Sequence, residues 1–342
     1  MTDRDAGAGH VTAPPLLSLG LYLPMTATAG STGQLVAEVT RETLAAEQAG
    51  LDIVLVPEHH SGPPVSLTSP TTLTSWLLAQ TATIKIGPGV MLPALQHSAH
   101  IAEWAALLQH ASGNRLVLGV GPGYQAQDFE RFGVEHARRG KLFEEALAGV
   151  RDCWRSVSHG TMPELDRDRE PQIWIGAWTS RTVRRAALLG DVWLVDPMRT
   201  VCEIESMEKI YRSAATAAGR APRVVVIREL WVDETDALAR TRYEPHARQV
   251  VDYYRRRGAL GETDATVESL TRERIVCGSP ATVAAELVEL VRRTSAETVI
   301  ATLRQPGGPA HEHVLEAIRL LGEDVLPDAN RALSNDRAGA RA

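Results

Sequence analysis

"LDIVLVPEHHSGPP", residues 51–64, decides how the rest of the chain is read. Ile53, Val54, Leu55 and Val56 follow one another without a polar residue, so both faces of this strand are buried; such strands belong to parallel sheets covered by helices. The run then stops abruptly at a carboxylate and two imidazoles, Glu58, His59 and His60, and that ending has to be explained by the fold.

Working outward, seven more apolar runs of the same kind recur: 18–24, 84–92, 115–121, 172–177, 192–196, 223–232 and 297–304. Each leads to an amphipathic segment with helix signals, such as Ser69 as cap before Pro70, or Leu35, Val39 and Leu44 near one face with Gly50 as a stop. Eight strand–helix units in about 300 residues predict an α/β fold of the (β/α)8 TIM-barrel type. A doubly wound open sheet with a second domain is the rival, but no composition break or Pro/Ser-rich linker divides the chain. The long connections 156–171 and 236–279 read as insertions, expected after strands five and seven. The barrel domain is expected over 16–330, with flexible tails at 1–15 and 331–342.

Composition limits the function. The 342 residues are 44% hydrophobic with a formal charge of −6, an ordinary globular balance that suggests no nucleic-acid partner. Cys153, Cys202 and Cys277 form no CxxC pair, which argues against a zinc ribbon or disulfide framework. No apolar run approaches the roughly 20 residues of a membrane helix, and "MTDRDAGAGHVTAPP" lacks the core of a signal peptide. A cytoplasmic protein away from membranes is expected.

In such a barrel the site lies at the C-terminal ends of the strands. Glu58, His59 and His60 stand at one of them, where an imidazole beside a carboxylate suits proton transfer near neutral pH; capping of the strand end is the plainer alternative. Metal binding, with Asp196 as a further ligand in a barrel hydrolase, is a third reading, although adjacent histidines on a strand chelate poorly. "AWTSRTVRRAALLG" places Thr179, Ser180, Arg181 and Thr182 at a helix N-terminus, where free N–H groups, hydroxyls and a guanidinium attract phosphate; a simple N-cap reads equally well. "GVGPGY" has Tyr124 where a dinucleotide fingerprint needs its third glycine, and it follows the fourth strand, so that fingerprint is rejected. Its Gly121, with the "GPGV" stretch at 87–90, suggests close approach of something flat. "HEH" at 311–313 and "YYRRRG" at 253–258 read as solvated helix surface, and the 156–171 loop with the helix after 236 as the seat of substrate selectivity.

The blocks "VPEHH", "GNRLVLGVGPGYQAQDFERFGVEHARRGKLFEEAL", "PQIWIGAWTSRTVRRAALLGDVWLVDP" and "GSPATVAAEL" resemble the bacterial luciferase-like family of flavin-dependent monooxygenases over roughly residues 18–327. The resemblance implies a (β/α)8 barrel, a homodimer, reduced FMN supplied by a separate flavin reductase, and insertion of oxygen from O2 into a small organic substrate. It implies His59 as the proton-handling residue, supported by Glu58 and His60. Thr179 and Thr182, with Ser180 and Arg181, would hold the FMN phosphate. Pro88, Gly89 and Val90, at a strand end where the family carries a strained, often cis, peptide, would contact the flavin ring together with Gly121 and Tyr124. The chain departs from luciferase at Gly121 and Pro122, where a cysteine and a phosphate-binding arginine would stand; light emission is not expected, and Arg181 is the candidate for the missing charge. A deazaflavin coenzyme used for hydride transfer, and a noncatalytic flavin-binding protein, are the alternatives within the same resemblance.

Overall fold

The computed structural model describes residues 16–339 apart from 25, 28–29, 61–64, 156–164, 166, 257–265 and 305–307. Eight strands form the ring: β1 (Ser18–Tyr22), β2 (Ile53–Val56), β3 (Lys85–Pro88), β4 (Val117–Val120), β5 (Gln172–Gly176), β6 (Val192–Val195), β7 (Val224–Val232) and β8 (Thr298–Thr302). All pair in parallel, in the order β3-β2-β1-β8-β7-β6-β5-β4. The ends of that path meet through bridges Ile86–Leu116 and Met91–Val120, supported by Ile86 N donating to Arg115 O at 3.0 Å and Met91 N to Gly119 O at 2.9 Å. The barrel is therefore closed, and the (β/α)8 expectation holds.

The continuous apolar strands separate into two packing layers by simple alternation. Ile53 and Leu55 point into the lumen with Val117, Trp174, Leu194, Ile227 and Ile300, while Val54 and Val56 pack outward under the helices. The first strand makes room with Gly20, where a Cβ would sit 2.6 Å from both Ile53 and Ile300 side-chain carbons. Around the ring run α1 (Thr32–Gln48), α2 (Pro70–Gln80), α3 (Ser98–Ala111), α4 (Arg139–Arg155), α5 (Ser180–Leu189), α6 (Val201–Ala217), α7 (Asp236–Arg256), α8 (Pro280–Thr294) and α9 (His311–Leu320). Ser69 caps α2 through Thr72 N with Pro70 in the first turn, as its sequence predicts.

Two expectations are corrected. β5 reaches α5 within three residues, so no insertion follows strand five; the long connection lies before it, after the helix of strand four, and residues 156–164 and 166 of it are outside the described residues. The insertion after strand seven is present: α7, a helix at Val267–Arg274 and a short strand, Ile275–Gly278, that pairs with the upper half of β7. The closing stretch is no loose tail as far as Gly339. It forms α10 (Leu326–Gly339), with Leu333 fully buried, Arg292 paired with Asp336, and Asn330 clamping both backbone groups of Leu17 at 2.8 and 2.9 Å. Short polar residues masked this helix from a composition reading, while Ala329 and Leu333, both fully buried, dock it together with the amide clamp and the ion pair. The expected N-terminal tail, 1–15, lies outside the described residues. Among the described residues no helix is long and apolar enough to cross a membrane.

Candidate active site

A cavity of about 610 Å³ opens across the C-terminal mouth of the barrel. Glu58 and His59 line it from the end of β2, Gly89 and Val90 from β3, Gly121 and Tyr124 from β4, and Thr179, Arg181 and Thr182 from α5. Pro88, Ser180 and His60 are not among its lining residues. The peptide between Gly89 and Val90 is cis.

The chain leaves β2 through Pro57 and is held by carboxylates. Glu58, 4% exposed, accepts from Leu92 N at 2.6 Å through one oxygen and meets His60 Nε2 at 2.6 Å with the other. His60 thus faces away from the cavity, against Phe132. His59 faces in, with Nδ1 3.4 Å from Asp128 Oδ2; the other oxygen of Asp128 accepts from His60 N at 2.9 Å. Asp128, 1% exposed, is fixed by the short helix Ala126–Arg131 that follows β4. No local pattern in the sequence singles out Asp128, although it sits in the block "YQAQDFERFG" that carries the family resemblance. Tyr124 meets the His59 ring edge-on at 5.9 Å and Trp178 at 5.5 Å, which builds an aromatic wall.

At the opposite side of the mouth from β1, Thr179 and Thr182 form a reciprocal capping box at the start of α5. The hydroxyls cap the helix, as the plainer reading has it, and they also line the cavity. Arg138, Arg139, Lys141 and Arg185 gather beside Arg181, with Arg185 held at 2.6 Å by Glu144. All of these cations line the cavity. The run "ARRGK", directly after the β4 loop and next to β5 in the ring, was their signal.

Besides lining the cavity at Gly89 and Gly121, the β3 and β4 ends need glycine for their own packing. A Cβ on Gly87 would lie 1.8 Å from Val117 O, one on Gly119 2.1 Å from Pro88 O, and one on Gly121 2.7 Å from Val90 Cγ2. Their smallness lets the two strands that close the ring approach each other. Two surface expectations also change. His311 is buried, with Nδ1 3.1 Å from Glu42 Oε1, and Tyr254 is buried with its hydroxyl donating to Glu229 at 2.7 Å; Tyr253 and Tyr254 both line the cavity. Burial beside Glu229 holds the Tyr254 phenol well above its ordinary range. Burial also raises the Asp196 carboxyl, despite Arg199 at 3.3 Å, and pushes the buried Arg228 guanidinium down to about 10. Among the described residues no three His, Cys, Asp or Glu side chains gather to hold a metal.

A closed parallel barrel with a deep, polar-studded cavity at its C-terminal mouth defines a barrel enzyme whose chemistry belongs to that rim. The model of the luciferase-like monooxygenase family matches residues 18–298, and the chain belongs to that family, which makes it an oxidoreductase. It is 25% identical over 337 residues to the uncharacterized protein y4vJ of Sinorhizobium fredii, covering 90% of this chain and 95% of that protein. Its fold is shared with the oxygenating constituent of 3,6-diketocamphane monooxygenase of Pseudomonas putida, a type II Baeyer–Villiger monooxygenase in complex with FMN (TM-score 0.78, 20% identity, 92% and 99% of the two chains). It is shared also with an F420-dependent secondary alcohol dehydrogenase (TM-score 0.71, 15% identity, 92% and 99%).

Proposed function

We propose that the chain is the oxygenase of a two-component system: it takes reduced FMN from a separate flavin reductase and, with O2, places one oxygen atom in a small organic substrate. The observation that carries this reading is the position of His59, part-way along a cavity with a hydroxyl- and cation-lined end suited to a phosphate. A phosphate at α5 would meet free backbone N–H groups, the Thr179 and Thr182 hydroxyls and the Arg138, Arg139 and Arg181 guanidiniums. Val90, Tyr124 and Trp178 offer apolar faces for a ring. When bound, FMN supplies the electrons that activate O2. The protein's share is placement, exclusion of water and one proton. Asp128 at Nδ1 orients the imidazole and leaves Nε2 of His59 to hold or deliver a proton in the cavity. Glu58 and His60 lock the loop on which His59 stands.

The same cation cluster also fits the longer anionic tail of a deazaflavin coenzyme, which favours a second reading as a hydride-transferring oxidoreductase. One experiment separates them: FMN-loaded protein is turned over with NADH, a flavin reductase and 18O2, and the product is weighed. One 18O per product supports the monooxygenase. Reduction of substrate without 18O, or retention of a deazaflavin on purification, overturns it. The reductase and its reduced flavin place the activity in the cytoplasm. Trp76 on α2 and Leu107 on α3 are 50% and 61% exposed, and we assign this apolar face to a homodimer interface. Replacing both by Glu is expected to give a monomer by light scattering, and an unreplaced protein that is already monomeric at micromolar concentration would remove the assignment.

A further inference from the structure

Among the described residues four carboxylates line the mouth cavity, and they are committed to different degrees. Glu58 gives one oxygen to Leu92 N and the other to His60. Asp128 gives one to His60 N and the other to the His59 ring. Glu144 is half exposed and sits among the cations, on Arg185. Asp196 is divided between two tasks. Directly after β6, its Oδ1 accepts from Met198 N at 2.9 Å, an Asx turn around Pro197, and from Arg199 Nε at 3.3 Å. Its Oδ2 accepts from none of the described residues, and it is not one of the unpartnered polar atoms that are sealed from the surface. The side chain keeps 9% of its exposure, in the lining of the cavity. Around the ring of eight strands β6 is the fourth from β2 in either direction, so Asp196 and His59 stand at opposite sides of the mouth.

We propose that Asp196 Oδ2 anchors the organic substrate by accepting a hydrogen bond from the hydroxyl group of a neutral, mostly apolar alcohol or phenol. The proposal rests on the preceding reading, in which the cofactor phosphate takes the α5 end and His59 handles the proton. Three considerations fix the class. An ionised carboxylate only accepts, so a ketone, an ether or an anion would set acceptor against acceptor there, whereas a hydroxyl brings the missing hydrogen. A hydrocarbon would strip water from Oδ2 and put nothing in its place, which is costly for a charged oxygen. An ammonium would approach a carboxylate that already has Arg199 beside it and the buried Arg228 within its field. Burial already disfavours the charged form of Asp196, so a donated hydrogen bond counts for more at this oxygen than at one in open water. Leu194, Val195 and Ile227 line the same cavity and offer the apolar surface that the rest of such a molecule needs.

The test is calorimetric titration of the FMN-loaded protein with three probes of similar shape: 4-tert-butylcyclohexanol, 4-tert-butylcyclohexanone and 4-tert-butylcyclohexylammonium. The alcohol should bind about tenfold more tightly than the ketone, the scale of one hydrogen bond to a charged group, and the ammonium should bind no more tightly than the alcohol. Asp196→Asn keeps an oxygen for Met198 N and puts an N–H donor in place of Oδ2. That donor serves alcohol and ketone alike, so their ratio should fall close to one. Asp196→Ser keeps an acceptor for Met198 N and leaves the place of Oδ2 empty, which should also bring the ratio close to one; if either variant fails to fold, the other is read. A ratio near one in the unaltered protein, a tenfold ratio that survives the substitution, absence of alcohol binding, or tighter binding of the ammonium overturns the anchor. Flavin retention is read separately from the spectrum of each sample. Loss of FMN from the unaltered protein counts against the flavin reading, while the calorimetric ratio still judges the anchor.

Discussion

The two ends of the mouth cavity are built on opposite electrostatic plans. At the β4–β5 end, cations crowd a helix N-terminus, with Glu144 on Arg185 and Glu145 at 3.5 Å from Lys141 as counterions. At the β8–β1 end, Arg304 is shared by Glu38 and Glu42. Charge left in excess invites a dianion from water. On the proposed reading the cationic end of the cavity takes the phosphate of the cofactor and leaves the rest to the organic substrate. His59 stands between them, held by Asp128.

The sharpest way to break this division is at its middle. His59→Ala should leave folding and FMN affinity nearly unchanged, because the side chain contributes little packing, while product formation falls by about 10²–10⁴-fold, the range for a positioned acid or base. Oxygen consumption measured alongside product would show uncoupled turnover. Normal product formation would return His59 to a strand-capping role, and a parallel loss of FMN affinity would show that the middle is not separate from the cationic end.

The next test strikes the cationic end alone. Thr179→Ala with Thr182→Ala should weaken FMN binding by about 1–3 kcal/mol, the scale of hydrogen bonds to a charged group. The capping box is lost as well, so unfolding free energy should drop by about 0.5–2 kcal/mol. Binding measured by fluorescence titration well below the melting range separates the two effects. Stability lost with unchanged affinity would leave these hydroxyls as a cap and move the phosphate elsewhere.

What could be read from the sequence follows the range of the interactions concerned. Strands and their order were legible because apolar runs such as Ile53–Val56 and helix signals such as Ser69-Pro70 are local. His59 stood out by its position at a strand end. Asp128 did not, because its value comes from a contact 69 residues away in the chain. The same holds for Glu42 with His311, 269 residues apart, which turned an apparent surface motif into a buried pair. Glycines are ambiguous in another way: a missing side chain shows that something comes close without saying what, and at Gly87 the backbone of Val117 does.

The smallest expected effect probes whether the β6–β8 side of the cavity resists charge. Burial raises the pKa of Asp196 above its ordinary value, outweighing the lowering by Arg199 and by Met198 N. The ionised carboxylate is therefore penalised in the folded protein relative to the unfolded chain. That penalty is absent below the unfolded pKa and complete above the raised folded one, so its contribution lowers stability as pH rises through that interval. Asp196→Asn keeps an oxygen able to accept from Met198 N and removes the ionisation. The variant should gain stability over the unaltered protein at pH 7, and the gain should shrink as pH is lowered below the ordinary aspartate range. Urea melts at pH 7 and at the lowest pH where both proteins fold would read this difference. A variant less stable at pH 7 would show that the Arg199 pair outweighs burial, and that this part of the cavity wall holds charge as readily as the cationic end does.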